Sequence, residues 1–478
     1  VAVLQLAVLV ATSGRYGYHR DEMYFVVAGS HPAWGYPDQP PLVPLLCRAM
    51  DLVAPGSLIV LRLPSALAAA VTTVVAALVA RELGGERRAQ LIAAACTASS
   101  GFALATGHFV TTTTFDLLST SILLWLLVRA VLRHSGHCLL LAGVVTGVGC
   151  EAKPQVAFVA AVALAAILVM GPRWVVRSPW LAAAIVTAGA LAAPYVIWQA
   201  AHGWPQLTVA GNIAGSAEGG RAGFIPFQLV MVSPVLVPVW VAGLLAPWRR
   251  ASMRSLRFVP ISYAALGLAY LIGDGKAYYL ASLYPTLLGI GAIPTAEWSR
   301  RAGRRLRPAL LGGAVAVSSA ISMLIALPLL PPTALQGSVV MAINPDQGET
   351  VGWPRFVGTV AAVWDSIPAT QRRDTVIFAG NYGEAGAVDL LGGTYRLPDA
   401  YSGHNAFSEW GRPPDTATHV LLLGFDDSAA AADFTGCTQR AVIDDGVGLD
   451  NQEQGMPVLL CRPDDPWHDL WPALRHYD

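Results

Sequence analysis

Apolar residues run through the first 330 positions in long blocks separated by short polar connections. The blocks fall at 1–13, 58–80, 89–107, 115–132, 138–150, 155–170, 180–198, 226–247, 258–272, 278–296 and 308–330. An α-helix needs roughly 20 apolar residues to cross a hydrocarbon core about 30 Å thick. Several blocks approach that length, and the weak alternation of a membrane barrel is absent. Backbone polar groups inside a bilayer are then satisfied only within helices. The pattern predicts a polytopic α-helical membrane protein of about 11 transmembrane helices. The first block is short and the chain begins at Val1, which suggests a non-ATG start or a clipped first helix. No cleavable signal peptide is recognised.

Beyond residue 330 the pattern changes. Thr375–Ala379, His419–Gly424 and Pro457–Cys461 are short apolar runs set among helix-like and Gly/Pro/Asp-rich stretches. They predict strands of a C-terminal α/β domain over 331–478. Ala379-Gly-Asn-Tyr-Gly-Glu-Ala-Gly386 follows one such strand and opens a helix. It lacks the ending of a phosphate-binding loop and the spacing of a dinucleotide fingerprint, so it reads as a tight strand-to-helix turn. No internal repeat or low-complexity tract is present.

Composition and charge sharpen the division. The chain is 54% hydrophobic and 13% charged, against about a quarter charged in soluble proteins. Residues 1–330 hold 23 Lys+Arg and 11 Asp+Glu, whereas 331–478 hold 8 and 20. An acidic tail argues against nucleic acid as a partner. Arginine sets the orientation by the positive-inside rule. Alternate connections carry Arg81, Arg87 and Arg88; Arg129 and Arg133; Arg173 and Arg177; Arg249, Arg250, Arg254 and Arg257; and Arg300, Arg301, Arg304, Arg305 and Arg307. These are expected in the cytoplasm. Loop 14–57, the turns 108–115, 151–154 and 273–277, loop 199–225 and the tail are then expected outside. Cys47, Cys96, Cys138 and Cys150 read as small core residues. Cys437 and Cys461 lie in the tail, where an oxidising compartment permits a disulfide and the sequence leaves pairing open.

Candidate chemistry lies on the expected outer side. Loop 14–57 contains Gly17-Tyr-His-Arg-Asp-Glu-Met-Tyr-Phe25 and Trp34-Gly-Tyr-Pro-Asp-Gln-Pro-Pro-Leu42. The adjacent Asp21 and Glu22 can deprotonate an acceptor hydroxyl or hold a divalent cation. In an ordinary loop such a pair is simply solvated, but the surrounding Pro and aromatic residues favour function. Asp116 follows Gly107-His-Phe-Val-Thr-Thr-Thr-Thr-Phe115 and either caps a helix or joins the chemistry. Lys153 and Lys276 are the only lysines among 31 basic residues, and both fall in short outer turns. As point charges they can neutralise a lipid phosphate, with Arg62 in Leu61-Arg-Leu-Pro-Ser65 as a third candidate. The alternative is that the lysines anchor helix ends by snorkelling. Zinc spacing and a Gly-x-Ser-x-Gly elbow are absent. Charges within the spans are too scarce for an ion-coupled pump.

The ordered set of Asp-Glu loop, Arg-Leu-Pro-Ser, Asp116, Lys-Pro turn and Gly-Lys-x-Tyr-Tyr turn resembles the GT-C membrane glycosyltransferases. The likeness is to their bacterial family 39-like, aminoarabinose-transferase-like branch, related to protein O-mannosyltransferases. It extends into the tail at Asn381-Tyr-Gly-Glu-Ala-Gly386 and Tyr401-Ser-Gly-His-Asn405. The short first span departs from the family pattern. The resemblance implies a polyprenyl-phosphate sugar donor, an extracytoplasmic glycan, lipid or protein acceptor, and transfer with inversion at a bacterial plasma membrane. It implies Asp21 as general base or acceptor-orienting carboxylate, with Glu22 and Asp116 in support or holding Mg or Mn. Lys153, Lys276 and Arg62 would hold the donor phosphate, and Tyr24, His108, Tyr278 and Tyr279 would line the substrate. The rival reading is a non-catalytic lipid-carrier flippase or assembly scaffold of envelope biosynthesis.

Overall fold

The computed structural model describes residues 1–215, 220–300 and 306–478. Arg301, Arg304 and Arg305, expected in a cytoplasmic connection, lie outside the described residues. The chain divides into two compact units. The first comprises Val1–Ser13, Arg62–Ala200 and Ile213–Leu327, and the second Gly14–Leu61, Ala201–Asn212 and Pro328–Asp478.

Every apolar block falls on helical chain, but few are uniform spans. Leu58–Glu82, Thr112–Arg133, Pro179–Ala201 and Leu306–Ala326 are long and apolar enough to cross a membrane. Blocks 89–107 and 226–247 are broken, Arg87–Ala98 from Gly101–His108 by 60° and Arg221–Val232 from Pro234–Arg249 by 79°. The second break has a local cause. Pro234 has no N–H to give the preceding turn, and Ser233 takes φ +80°. At the first, the Ser100 hydroxyl accepts from Ala103 N–H at 3.3 Å and starts a new helix. Ala2–Thr12, Gly136–Cys150, Gln155–Met170 and Phe258–Ile272 are apolar but shorter, at 10–17 residues. By length, the described residues therefore hold four spans, or up to six if each bent pair counts as one.

Within the first unit, small residues let helices approach where apolar lipid supplies no hydrophobic drive. A Cβ on Gly291 would lie 2.0 Å from Val239 O, and one on Gly243 2.0 Å from Leu287 O. These glycines bring helices Val237–Arg249 and Tyr284–Arg300 together. Ion pairs tie the arginine-bearing connections to one another: Arg133 with Glu82 at 3.3 Å, Arg300 with Glu86 at 2.7 Å and Arg250 with Glu297 at 2.6 Å. Arg129 also pairs with Glu82.

The second unit is an α/β structure. Its strands are β1 (Thr375–Ala379), β2 (Tyr401–Ser402), β3 (His419–Leu423), β4 (Phe434–Val442) and β5 (Pro457–Pro463), in the order β2-β1-β3-β5-β4. β1 runs parallel to β2 and β3, whereas β5 runs antiparallel to β3 and β4. β1 and β3 lie within two of the apolar runs expected as strands, β5 extends the third by two residues, and their side chains are largely buried. β4 has no such signal because it is an exposed edge strand with irregular register. Cys437 on β4 and Cys461 on β5 form a disulfide. Phe378, Val420, Leu422, Leu459, Trp467 and Leu470 fill one core of the unit, and the buried Trp467 donates its Nε1–H to Ala417 O at 3.0 Å.

Gly291→Ala should cost about 1–3 kcal/mol through the overpacked helix contact. Gly313→Ala, where nothing lies within 4 Å of a new Cβ, should leave stability unchanged or raise it. Thermal melts of the two variants in one detergent check the pair.

Candidate active site

In the second unit, helix Arg20–Ser30 starts on His19, whose backbone is extended at φ −77°, ψ 148°. His19 N–H donates to Glu22 Oε2 at 2.9 Å, and Asp21 N–H donates to His19 Nδ1 at 3.3 Å. This is a capping box, in which two groups left over at a helix start satisfy each other. It buries Glu22 completely, whereas the Asp21 side chain keeps 30% exposure. The adjacent carboxylates therefore do different work: Glu22 fixes the helix start and Asp21 stays available.

Asp21 Oδ1 accepts from the Tyr382 hydroxyl at 2.9 Å. Tyr382 begins helix Tyr382–Leu391, which opens on a second capping box. Glu384 N–H donates to Asn381 Oδ1 at 2.9 Å and Asn381 N–H to Glu384 Oε2 at 3.3 Å. The expected strand-to-helix turn is present. Its glycines have a further role, because a Cβ on Gly383 would sit 2.9 Å from Arg20 Cβ, and one on Gly386 3.2 Å from Tyr24 N. Only small residues let this helix reach the one that carries Asp21.

Tyr24, expected to line the substrate, is 1% exposed. Its hydroxyl donates to Asp38 Oδ1 at 2.6 Å and accepts from Ala406 N–H at 3.2 Å. Its ring lies 4.7 Å from that of Tyr382. Tyr24 thus supports the site from beneath. Burial pushes the Asp38 carboxyl up to about 7, with the Tyr24 hydrogen bond opposing. Asp38 and Tyr382 stand in motifs legible in the sequence, but nothing local there marks either as a partner of the 20–24 segment.

In the first unit, five expected residues form one group. Lys153 sits in the turn between helices Gly136–Cys150 and Gln155–Met170, where its N–H donates to Gly149 O at 2.8 Å. Its Nζ donates to Thr113 Oγ1 at 2.9 Å and lies 5.4 Å from the centre of the Tyr278 ring and 4.9 Å from that of Tyr279. Burial lowers the Lys153 ammonium to about 8; Asp116 opposes this and Lys276 adds to it, so all three charges share one field. Asp116 is 2% exposed and accepts from the Thr120 hydroxyl at 3.3 Å. It does not cap its helix. Thr111 does, its Oγ1 accepting from Thr114 N–H at 3.2 Å.

The aromatic segment is pinned on both sides. Gln155 Nε2 donates to Tyr279 O at 2.7 Å and Gln228 Nε2 to Ala277 O at 2.8 Å. Arg221 clamps Asp274 with two hydrogen bonds of 2.8 and 2.9 Å. Arg62 belongs to a different constellation. It is fully buried, donates to Ser13 O at 2.7 Å and lies 5.5 Å from the centre of the Phe109 ring. His108, 1% exposed, sits beside its guanidinium. Both residues are thus built into the helical unit around the end of helix Ala2–Thr12.

The carboxylates expected to hold Mg or Mn are divided: Asp21 and Glu22 fall in the second unit and Asp116 in the first.

Residues 38–198 match the model of the dolichyl-phosphate-mannose-protein mannosyltransferase family. The fold is similar to that of ArnT from Cupriavidus metallidurans, with a TM-score of 0.63 at 12% identity over 96% of each chain. A structure of that protein bound to undecaprenyl phosphate gives 0.62 at the same identity and coverage. The mycobacterial arabinofuranosyltransferase AftD is similar over 97% of this chain and 41% of its own, with a TM-score of 0.54 at 12% identity. No curated protein matches by sequence. The family match covers about a third of the chain, and the solved structures share its fold.

The Asp38 carboxyl, raised from 3.8 to about 7, disfavours folding once the unfolded chain can ionise. Its cost should grow from about pH 4 to about pH 7 and stay constant above that. Asp38→Asn keeps an acceptor for Tyr24. It should melt higher than wild type at pH 8 and level with it near pH 4, as thermal melts at the two pH values will show.

Proposed function

We propose that this protein is an inverting glycosyltransferase that moves a monosaccharide from a polyprenyl-phosphate donor to an extracytoplasmic glycan, lipid or protein. One observation carries the reading: the Lys153 ammonium lies 5.4 and 4.9 Å from the ring centres of Tyr278 and Tyr279 and feels the charges of Asp116 and Lys276. Two ammonium groups at the mouth of an apolar bundle suit a lipid phosphate. Paired tyrosines suit the face of a sugar. A polyprenyl phosphate bound to a protein of the same fold supports the same donor class.

The chemistry follows from the charges. As the bond between the anomeric carbon and the donor phosphate breaks, negative charge gathers on the leaving phosphate, where Lys153 and Lys276 offset it. The acceptor oxygen attacks from the opposite face of the sugar, which inverts the anomeric centre. Its proton passes to a carboxylate, the role assigned to Asp21, whose side chain keeps 30% exposure and whose Oδ2 lies 3.9 Å from His19 Nδ1. The Tyr382 hydroxyl holds the other Asp21 oxygen and fixes its direction. Asp116 balances the lysine charge between turnovers. The disulfide in the acidic tail and the tying of the arginine connections to one another support an extracytoplasmic tail at a bacterial plasma membrane.

Asp21→Asn should lower sugar transfer by about 10²–10⁴-fold while leaving donor binding intact. Turnover of a panel of polyprenyl-phosphate sugars in lipid nanodiscs, followed by mass spectrometry, is the test. Unchanged turnover in the folded variant would sink the assignment of the base.

A further inference from the structure

The Tyr401-Ser-Gly-His-Asn405 run has no part in the chemistry above, yet the fold joins it tightly to residues 474–478. Asn405 N–H donates to His476 O and His476 N–H to Gly403 O, both at 3.0 Å. Gly403 permits this approach, since a Cβ there would lie 1.9 Å from Leu474 O. The Asn405 side chain closes the joint, donating to Asp478 O at 3.1 Å and accepting from Asp478 N–H at 3.2 Å.

The joint gathers three metal-ligating side chains. One nitrogen from each of His404 and His476 and one carboxylate oxygen of Asp478 all lie within 4.8 Å of one another. The two rings stack with centres 4.4 Å apart. His404 is 5% exposed. Its Nε2 is buried and pairs with the Asp478 carboxylate. The His476 ring is oriented from behind, with Nδ1–H donating to Leu474 O at 3.0 Å. This leaves its Nε2 lone pair free, the usual arrangement of a ligating histidine.

We propose that His404, His476 and Asp478 form a zinc site. Two imidazoles and one carboxylate suit Zn²⁺, whereas Mg²⁺ and Ca²⁺ prefer all-oxygen shells. Three protein ligands leave a fourth position for water or another donor. Loading puts the His404 ring proton on Nδ1, at the expense of a 3.4 Å contact from Tyr382 N–H. The ion pins residues 474–478 over the 403–405 turn, beside the start of the helix that delivers Tyr382. The proposal does not depend on glycosyl transfer.

The test is zinc uptake by the full chain, stripped with chelator and held in detergent. Calorimetry and elemental analysis of the wild type should give one tightly bound Zn²⁺ per chain, retained in excess Mg²⁺, and a raised melting temperature. His476→Gln combined with Asp478→Asn changes two exposed side chains and should weaken uptake by about tenfold or more, with the melt of the zinc-free protein preserved. Folded wild type that takes up no zinc, or a double variant that binds it equally well, overturns the site.

Discussion

The close approach of helices Arg20–Ser30 and Tyr382–Leu391 is the constraint on which the carboxylate site depends. Two glycines on one helix face the start of the other, so a tyrosine more than 350 residues along the chain from Asp21 can donate to it. Each helix opens on its own capping box, which fixes where its first turn points. Shift either start by one residue and the side chains rotate by roughly 100°, and the Tyr382–Asp21 bond is lost. Beneath it, Tyr24 and Asp38 form a second phenol–carboxylate pair, and the two phenol rings pack on each other. The capping boxes, the glycines and the paired phenols thus converge on the partly exposed Asp21 carboxylate.

The helical unit answers a different constraint. Its buried polar groups have few water molecules to turn to, so they must satisfy one another. Gln228 shows the principle. Its Nε2 donates to Phe224 O and Ala277 O, and its Oε1 accepts from the hydroxyls of Tyr263 and Tyr284. That amide has no capacity left over, and it holds the segment that presents Tyr278 and Tyr279. Lys153 is a half-buried cation given a hydroxyl and two ring faces.

Much of this was legible in the sequence. Long apolar blocks located the helices, and the short apolar runs located β1, β3 and β5. Lysine scarcity, read with position, found the group around Asp116. What was hidden was set by tertiary approach. The breaks at Ser99–Ser100 and Ser233–Pro234 interrupt blocks whose hydropathy runs straight through them. β4 is polar because it lies at an exposed edge. The burial of Arg62 against Ser13 and Phe109 has no local signature. Asp38 and Tyr382 were visible as members of motifs, but their roles arise only when distant helices meet. Even Glu22, adjacent to Asp21, differs from it through a backbone angle at His19 that composition does not encode.

The central claim is that the paired lysines recognise the phosphate of a lipid-linked sugar. Native mass spectrometry of the protein released from lipid nanodiscs with added undecaprenyl phosphate tests it most directly. The account predicts that wild type retains the lipid and that Lys153→Met with Lys276→Met loses it, both proteins remaining folded. Equal retention by the two would contradict it.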